Sequence, residues 1–138
     1  MRLQDLYEQY HEQVQFLSIY IREGHPVDGW WLGKGPAAWV MKLYSPRAAT
    51  DIYDPKSMDE RRSVAGRCQE SLHYGIPTLV DEMDDAVNKA YAAWPTRLYL
   101  VGLDGRLAYA GGKGPFGMKP AELEQAIVSY IKINEPSL

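Results

Sequence analysis

The sequence predicts an α/β domain in which helices flank a central mixed sheet. Two short apolar runs, residues 14–21 and 76–80, are typical of buried strands. Apolar residues recur at helical spacing between and after these runs, and an Asp104-Gly105 pair signals a β-hairpin. Because the chain has 138 residues and is 46% hydrophobic, it can bury one core, and we expect a single domain over residues 1–138.

The first part of the chain predicts a helix, a strand and a long loop. Apolar residues at helical spacing among polar ones predict a helix over residues 2–12, and the strand over residues 14–21 follows it. Residues 22–56 are rich in proline and glycine and show no repeated period, which predicts a long loop. Within this loop, residues 38–44 fit either a strand or a helical turn.

Capping signals place the next two helices. Ser57 and Glu60 have the S-x-x-E spacing of a capping box, in which the hydroxyl and the carboxylate each accept a hydrogen bond from a free backbone N–H. A helix over residues 58–74 is therefore predicted. After the second strand, Asp84 or Asp85 is expected to cap a helix that ends near residue 92.

The last part of the chain predicts a hairpin and a final helix. Pro95 precedes a strand predicted over residues 97–103, and the Asp-Gly turn leads into a partner strand over residues 106–110. A glycine-rich turn, G-G-K-G-P-F-G, comes next. The final helix is predicted from Pro120 to about residue 133, because proline is favoured at the first helical position.

Composition excludes several classes of partner. A net charge of −3 provides no broad cationic surface for a phosphate backbone, so nucleic-acid binding is not expected. No apolar run approaches the ~20 residues that cross a bilayer, and we expect no membrane contact and a cytoplasmic location. Cys68 is the only cysteine, which excludes an internal disulfide and a multi-thiolate metal site. No metal and no cofactor are expected.

Cys68 has two interpretations. In one it is a resolving thiol in a redox cycle, and in the other it is an inert core residue. Its helical stripe with Val64 and Leu72 favours the inert core residue, because free cysteine is among the most buried residue types.

The predicted order of elements resembles the thioredoxin-like fold. The order is helix, strand, loop, helix, strand, helix, two strands and helix, and a proline stands just before the terminal hairpin. The resemblance runs from the first helix onward and implies that Pro95 is the cis-proline that faces the reactive thiol in this fold. X-Pro bonds are the ones for which the cis form costs little.

Three local motifs are similar to those of the iodothyronine deiodinase family. They are I-R-E-G-H-P-V-D-G-W from Ile21, V-D-E-M-D-D-A-V-N-K-A-Y-A-A-W-P from Val80, and G-G-K-G-P-F-G with its sequel K-P-A-E-L from Gly111. The resemblance covers most of the chain. It implies an oxidoreductase family whose fold binds a small aromatic or phenolic ligand.

The resemblance implies roles for five residues. Glu23 and His25 match the family's Glu-x-His, where they are implied to act as catalytic residues that transfer protons and hold a phenolic ring. Trp30, Trp94 and Pro95 are implied to line the substrate groove.

The sequence departs from the family at its amino end. Family members carry a strand and then a selenocysteine or cysteine at the start of the helix that here begins near Arg2. No residue in 1–5 can supply this nucleophile, so we expect a thioredoxin-like fold that is incomplete at the N-terminus and a chain that is inactive as given. The missing strand would lie between the strands predicted over residues 14–21 and 97–103. We expect residues 38–44 or a partner chain to fill the gap, which predicts a homodimer, obligate or domain-swapped.

Two hypotheses on function follow. In the first, the protein belongs to an oxidoreductase family that resembles reductive dehalogenases, and its nucleophile comes from a segment absent here. In the second, it is a non-catalytic binding or interaction module, or a dimeric scaffold, that retains the groove. Nucleotide binding is not expected, because the glycine-rich turn follows an antiparallel strand and lacks the Walker lysine-serine pair.

Overall fold

The computed structural model describes residues 2–24, 53–72 and 75–134. These residues form a mixed α/β arrangement, which confirms the predicted class and is consistent with a thioredoxin-like fold. The described elements are α1 (Leu3–Tyr10), β1 (Ser18–Tyr20), α2 (Met58–Leu72), β2 (Thr78–Val80), α3 (Ala86–Tyr91), β3 (Tyr99–Val101), β4 (Leu107–Ala110) and α4 (Pro120–Asn134). Each lies within or close to its predicted range. The strands are shorter than predicted, because the apolar pattern extends beyond the residues that pair with a neighbouring strand.

The described strands form two small sheets, one of β1 with β2 and one of β3 with β4. The Ser18 N–H donates to Pro77 O at 2.9 Å, and the Asp81 N–H donates to Tyr20 O at 2.8 Å. Because the residue numbers rise together on both strands, β1 and β2 are parallel. The sequence predicts a single mixed sheet instead. The difference arises because an apolar run indicates that a strand is buried but does not indicate which strand lies next to it. Incompleteness at the amino end stays a prediction.

The chain divides into two compact units, which we describe separately. The hairpin unit comprises Met1–Ser18, Tyr74–Pro77 and Ala93–Leu138. The parallel-strand unit comprises Ile19–His73 and Thr78–Ala92. The single domain expected from the sequence stays a prediction.

Two helices and a strand form the core of the hairpin unit. α1 contributes Leu6 and Tyr10, and α4 contributes Leu123 and Ile127. In each helix the two residues are four apart and therefore lie on one face. Leu100 of β3 completes the cluster. Leu6 is fully buried and Ile127 is 2% exposed, and burying such a side chain contributes about 1.5–3 kcal/mol.

The β3–β4 hairpin is confirmed as antiparallel, and its connection covers residues 103–105. The Gly102 N–H donates to Arg106 O at 2.8 Å, and the Gly105 N–H donates to Gly102 O at 2.9 Å. Gly105 has φ of +79°, the left-handed region that a hairpin connection of this length favours at its last residue. The Tyr130 hydroxyl of α4 accepts a hydrogen bond from the Leu103 N–H at 2.8 Å, which fastens the turn to the helix.

β4 carries one residue more than β3 in the paired region. Leu100 pairs with Tyr109 and Val101 pairs with Leu107, so Ala108 has no opposite residue on β3. This irregularity is a β-bulge, which bends the strand and increases its local twist.

In the parallel-strand unit, α2 begins at the predicted capping residues with one difference. The Ser57 hydroxyl accepts a hydrogen bond from the Glu60 N–H at 3.3 Å, as predicted. The Glu60 carboxylate accepts from the Lys56 N–H at 2.7 Å, one residue before the N–H that a capping box uses. The helix buries Val64 and Ala65 and contacts β2.

Candidate functional site

Glu23 lies just after β1 in the parallel-strand unit, and both of its carboxylate oxygens accept hydrogen bonds. The Tyr20 hydroxyl donates to Glu23 Oε2 at 2.7 Å, and the Gly24 N–H donates to Oε1 at 3.0 Å. Ile21, which lies between Tyr20 and Glu23 in the sequence, has a buried side chain. A carboxylate held in this way has the fixed position that proton transfer requires. The catalytic role of Glu23 stays a prediction.

Tyr20 is a residue that the sequence analysis missed. Burial raises the pKa of the Tyr20 hydroxyl far above its ordinary value, and the Glu23 carboxylate beside it raises the pKa further. The hydroxyl therefore remains a hydrogen-bond donor to Glu23 over the physiological pH range. A tyrosine within an apolar run was the available signal, because a buried phenol usually finds a hydrogen-bond partner.

The cap of α3 confirms one of the two predicted residues, Asp84, and adds a third, Asp81. Asp84 accepts a hydrogen bond from an N–H of the first turn at 3.1 Å, but Asp85 makes no side-chain cap. Asp81, which is 2% exposed, accepts from the N–H groups of Val87 and Asn88 at 3.0 and 2.9 Å. Asp81 precedes the helix by five residues and reaches it only because of the intervening loop, so the spacing of local capping signals does not indicate it.

A buried arginine holds the loop that leads into α3. Arg61, on α2, is 3% exposed and donates from Nη1 to the carbonyl oxygens of Asp81 and Glu82 at 3.2 and 2.6 Å. The same nitrogen lies 3.1 Å from Asp85 Oδ1, at ion-pair distance but without hydrogen-bond geometry. The Arg22 guanidinium lies 3.8 Å from Asp85 Oδ2. Two cations thus face the carboxylate of Asp85, whose φ of +58° is unusual for a residue other than glycine.

Cys68 is half-buried on α2. Burial raises the pKa of its thiol, the charge of Glu23 raises it further, and Arg67 lowers it. A catalytic thiol needs the opposite shift, because the thiolate is the nucleophile. The raised thiol pKa favours the inert interpretation of Cys68. The predicted core position is wrong, because the side chain is only half-buried. A step of four residues from the buried Val64 rotates about 40° around the helix, which turns Cys68 partly away from the buried face.

Trp94 and Pro95 lie in the hairpin unit. The peptide bond between them is cis, which confirms the expectation for Pro95. Trp94 is 38% exposed and Pro95 is partly buried. The exposed part of the indole offers an apolar, aromatic surface to a ligand. The substrate-binding roles of both residues stay predictions.

The G-G-K-G-P-F-G segment forms a turn that packs beside the residue after Pro95. The Gly114 N–H donates to Thr96 O at 2.8 Å. The Gly114-Pro115 peptide bond is also cis, which the sequence analysis did not anticipate. α4 then begins at Pro120, as predicted.

Two of the predicted site residues, His25 and Trp30, lie outside the described residues, as do residues 38–44. The pairing of Glu23 with His25 is therefore a prediction. Within residues 2–24, 53–72 and 75–134, no group of three His, Cys, Asp or Glu side chains is placed to hold a metal ion. Among the helices of the same residues, none has the length and apolar character needed to cross a bilayer.

Comparison with known proteins tests the resemblance that the three sequence motifs indicated. The family model described as Iodothyronine deiodinase matches residues 1–130. The chain belongs to the iodothyronine deiodinase family. Membership confirms the resemblance drawn from the three motifs and supports an oxidoreductase-like deiodinase fold.

Relatives within the deiodinase family cover most of the chain. It is 33% identical to Thyroxine 5-deiodinase of Sparus aurata over 127 residues, which is 92% of this chain and 42% of that protein. It is 34% identical to Thyroxine 5-deiodinase of Aquarana catesbeiana over 117 residues, or 85% and 38% of the two chains. For Thyroxine 5-deiodinase of Homo sapiens the identity is 32% over 127 residues, or 92% and 37%. The chain thus spans about two fifths of the length of these relatives.

Proposed function

We propose that the chain provides the proton-handling and ligand-binding residues of a reductive dehalogenase that acts on an iodinated phenol. The Glu23 carboxylate carries the proposal, because the Tyr20 hydroxyl and the Gly24 N–H hold it within a motif that matches the family. The relatives are named for thyroxine, an iodinated aromatic molecule with a phenol ring. A small aromatic or phenolic ligand is therefore the proposed substrate class, with Trp30, Trp94 and Pro95 as its contacts.

The proposed reaction needs a thiolate or selenolate as well as a proton. The sulfur or selenium atom bonds to iodine, the carbon–iodine bond breaks, and its electron pair stays on the ring carbon, which accepts a proton. A second thiol then displaces iodide from the sulfur or selenium. Glu23 and His25 handle the proton. In this proposal the nucleophile comes from outside these 138 residues, because Cys68, the one cysteine among them, is half-buried on α2 and its thiol pKa is raised.

The ligand part of the proposal is tested by equilibrium dialysis with thyroxine. Binding to the chain is expected, and Trp94→Ala should raise the Kd about tenfold, which corresponds to about 1.4 kcal/mol of lost contact. Tyr53→Ala is the matched control, because Tyr53 is 65% exposed and has no proposed role. Absence of thyroxine binding, or an equal effect of both variants, would overturn this part.

The catalytic part is tested by turnover. With dithiothreitol as reductant, the chain alone is expected to release no iodide from thyroxine, since it lacks an activated thiol. Iodide release that Cys68→Ser abolishes would show that Cys68 is the nucleophile and would contradict the proposal.

The raised thiol pKa of Cys68 also favours a second candidate, a non-catalytic binding or interaction module. Reading the coding DNA upstream of Met1 separates the two functions. An in-frame cysteine codon or TGA codon favours the enzyme, whereas a stop codon followed by a ribosome-binding site favours the module. In either case the proposed setting is a homodimer in the reducing cytoplasm, where a single unpaired thiol persists.

A further inference from the structure

The glycine-rich turn is hydrogen-bonded to Thr96 and Arg97, the two residues that follow Pro95. The Gly114 N–H donates to Thr96 O at 2.8 Å. The Arg97 Nε donates to Gly111 O at 2.5 Å. Both contacts lie within the hairpin unit and involve backbone atoms of the turn. The position of the turn is therefore set by the chain immediately after Pro95.

Glycines also close the turn on itself. A Cβ on Gly117 would lie 2.5 Å from the carbonyl carbon of Gly112, so the backbones of these residues touch where a side chain would not fit. The Gly117 N–H donates to Lys113 O at 2.9 Å. A Cβ on Gly114 would overlap the methyl group of Thr96. These close approaches leave the turn little room to rearrange.

Phe116 is the large apolar side chain of this closed turn. It is 92% exposed, so its ring gains free energy from burial only when another molecule covers it. Isolated exposed apolar residues are common on protein surfaces. Phe116 differs from them because its turn is bound to Thr96, two residues after the partly exposed Trp94.

We propose that Phe116 is a specificity-determining residue that contacts the aromatic ring of a ligand bound at Trp94 and Pro95. This inference rests on the proposed function and names one more contact for the same ligand. Aromatic rings favour offset-stacked or edge-to-face contacts, so Phe116 selects an aromatic ligand over an aliphatic one of equal size. The closed turn fixes the backbone that carries the ring before the ligand arrives, which reduces the ordering that binding requires.

The test is the Kd for thyroxine, measured by equilibrium dialysis on the full chain and its variants. Phe116→Ala should raise the Kd about fivefold, whereas Phe116→Tyr should retain affinity within about twofold, because it keeps the ring. Leu103→Ala is the matched control, since Leu103 is 91% exposed on a different turn of the same unit. Circular dichroism checks that each variant is folded.

The outcomes separate this inference from the proposed function. A selective loss of affinity in Phe116→Ala, rescued in Phe116→Tyr, supports the inference. If Trp94→Ala weakens binding while Phe116→Ala binds like the wild type, the inference is overturned and the proposed function stands. If Leu103→Ala weakens binding as much as Phe116→Ala, the inference is also overturned. If the unmodified chain does not bind thyroxine, both fail.

Discussion

At the scale of single residues, Arg61 shows what a buried charge does in this fold. A buried ion pair adds little net stability by itself, because desolvation offsets the attraction. Removing one partner is different, since the other partner is left buried and uncompensated. Arg61 also donates to the carbonyl oxygens of Asp81 and Glu82, so its loss would remove one donor from each of these groups and the nearer cation from Asp85.

We expect Arg61→Met to lower the free energy of unfolding by about 3 kcal/mol, measured by urea denaturation. Its neighbour Arg62 is the control. Arg62 forms an ion pair with Asp59 at 3.5 Å, but the two side chains are 63% and 96% exposed. Arg62→Met should therefore change the free energy by less than about 0.5 kcal/mol. Equal effects of the two substitutions would show that Arg61 does not hold the loop.

Alkylation tests the thiol of Cys68. Because its pKa is raised in the folded protein, iodoacetamide should modify it more slowly at pH 8 in buffer than in 8 M urea. The native rate should increase with pH and reach its midpoint above the ~8.5 of a free thiol. The contribution of the thiol to stability is present below the unfolded pKa and is lost as pH rises through the folded pKa. A native midpoint below that of the free thiol would contradict the assigned direction.

At the scale of elements, local signals were sufficient where the interaction is itself local. The Asp104-Gly105 pair predicted the hairpin, and Ser57 with Glu60 predicted the start of α2, because each signal acts within a few residues. The cap that Asp81 provides to α3 was not predictable, since it depends on the path of the loop from β2. The division of the described strands into two sheets was missed for the same physical reason, because pairing beyond a hairpin joins residues far apart in sequence.

Two glycine substitutions test the elements with opposite expected signs. Gly105→Ala should lower the free energy of unfolding by about 1 kcal/mol, because alanine is strained at a φ of +79°. Gly66→Ala on α2 should raise it by about 0.5–1 kcal/mol, since a helix favours alanine and no atom beyond the adjacent residues and the helix backbone lies within 4 Å of the added Cβ. Thermal unfolding measures both. Shifts of the same sign would contradict the conformations assigned to the two glycines.

At the scale of the whole molecule, the family motifs predicted the cis peptide bond at Pro95, which periodicity does not indicate. Glu23, Trp94 and Pro95 were singled out because short motifs preserve chemistry and chain geometry together, and their roles at a site stay predictions. Tyr20 was not singled out, because its role appears only when its hydroxyl reaches Glu23 in the folded chain. The division into two compact units also has no local signal, since it reflects contacts between distant segments.

Exposed apolar residues on the strands lead us to expect a homodimer. Val101 and Leu107 in the hairpin unit are 51% and 50% exposed, and Leu79 in the parallel-strand unit is 55% exposed. Sedimentation equilibrium should give about twice the chain mass of 15.7 kDa. Val101→Lys should shift the distribution toward the monomer, whereas Ile133→Lys, at a helix position that is 81% exposed, should not. A monomer at every concentration would disprove the dimer.

The bulge at Ala108 has a consequence for how copies of this chain meet. In the described residues β4 pairs with β3 alone, so no described strand pairs with its other edge. At Ala108 the backbone donors and acceptors of β4 depart from the regular spacing of a strand. An extended segment that paired with this edge could not continue a regular hydrogen-bond ladder past that residue. This edge of the hairpin is thereby a poor template for the strand-by-strand addition that fibril growth requires.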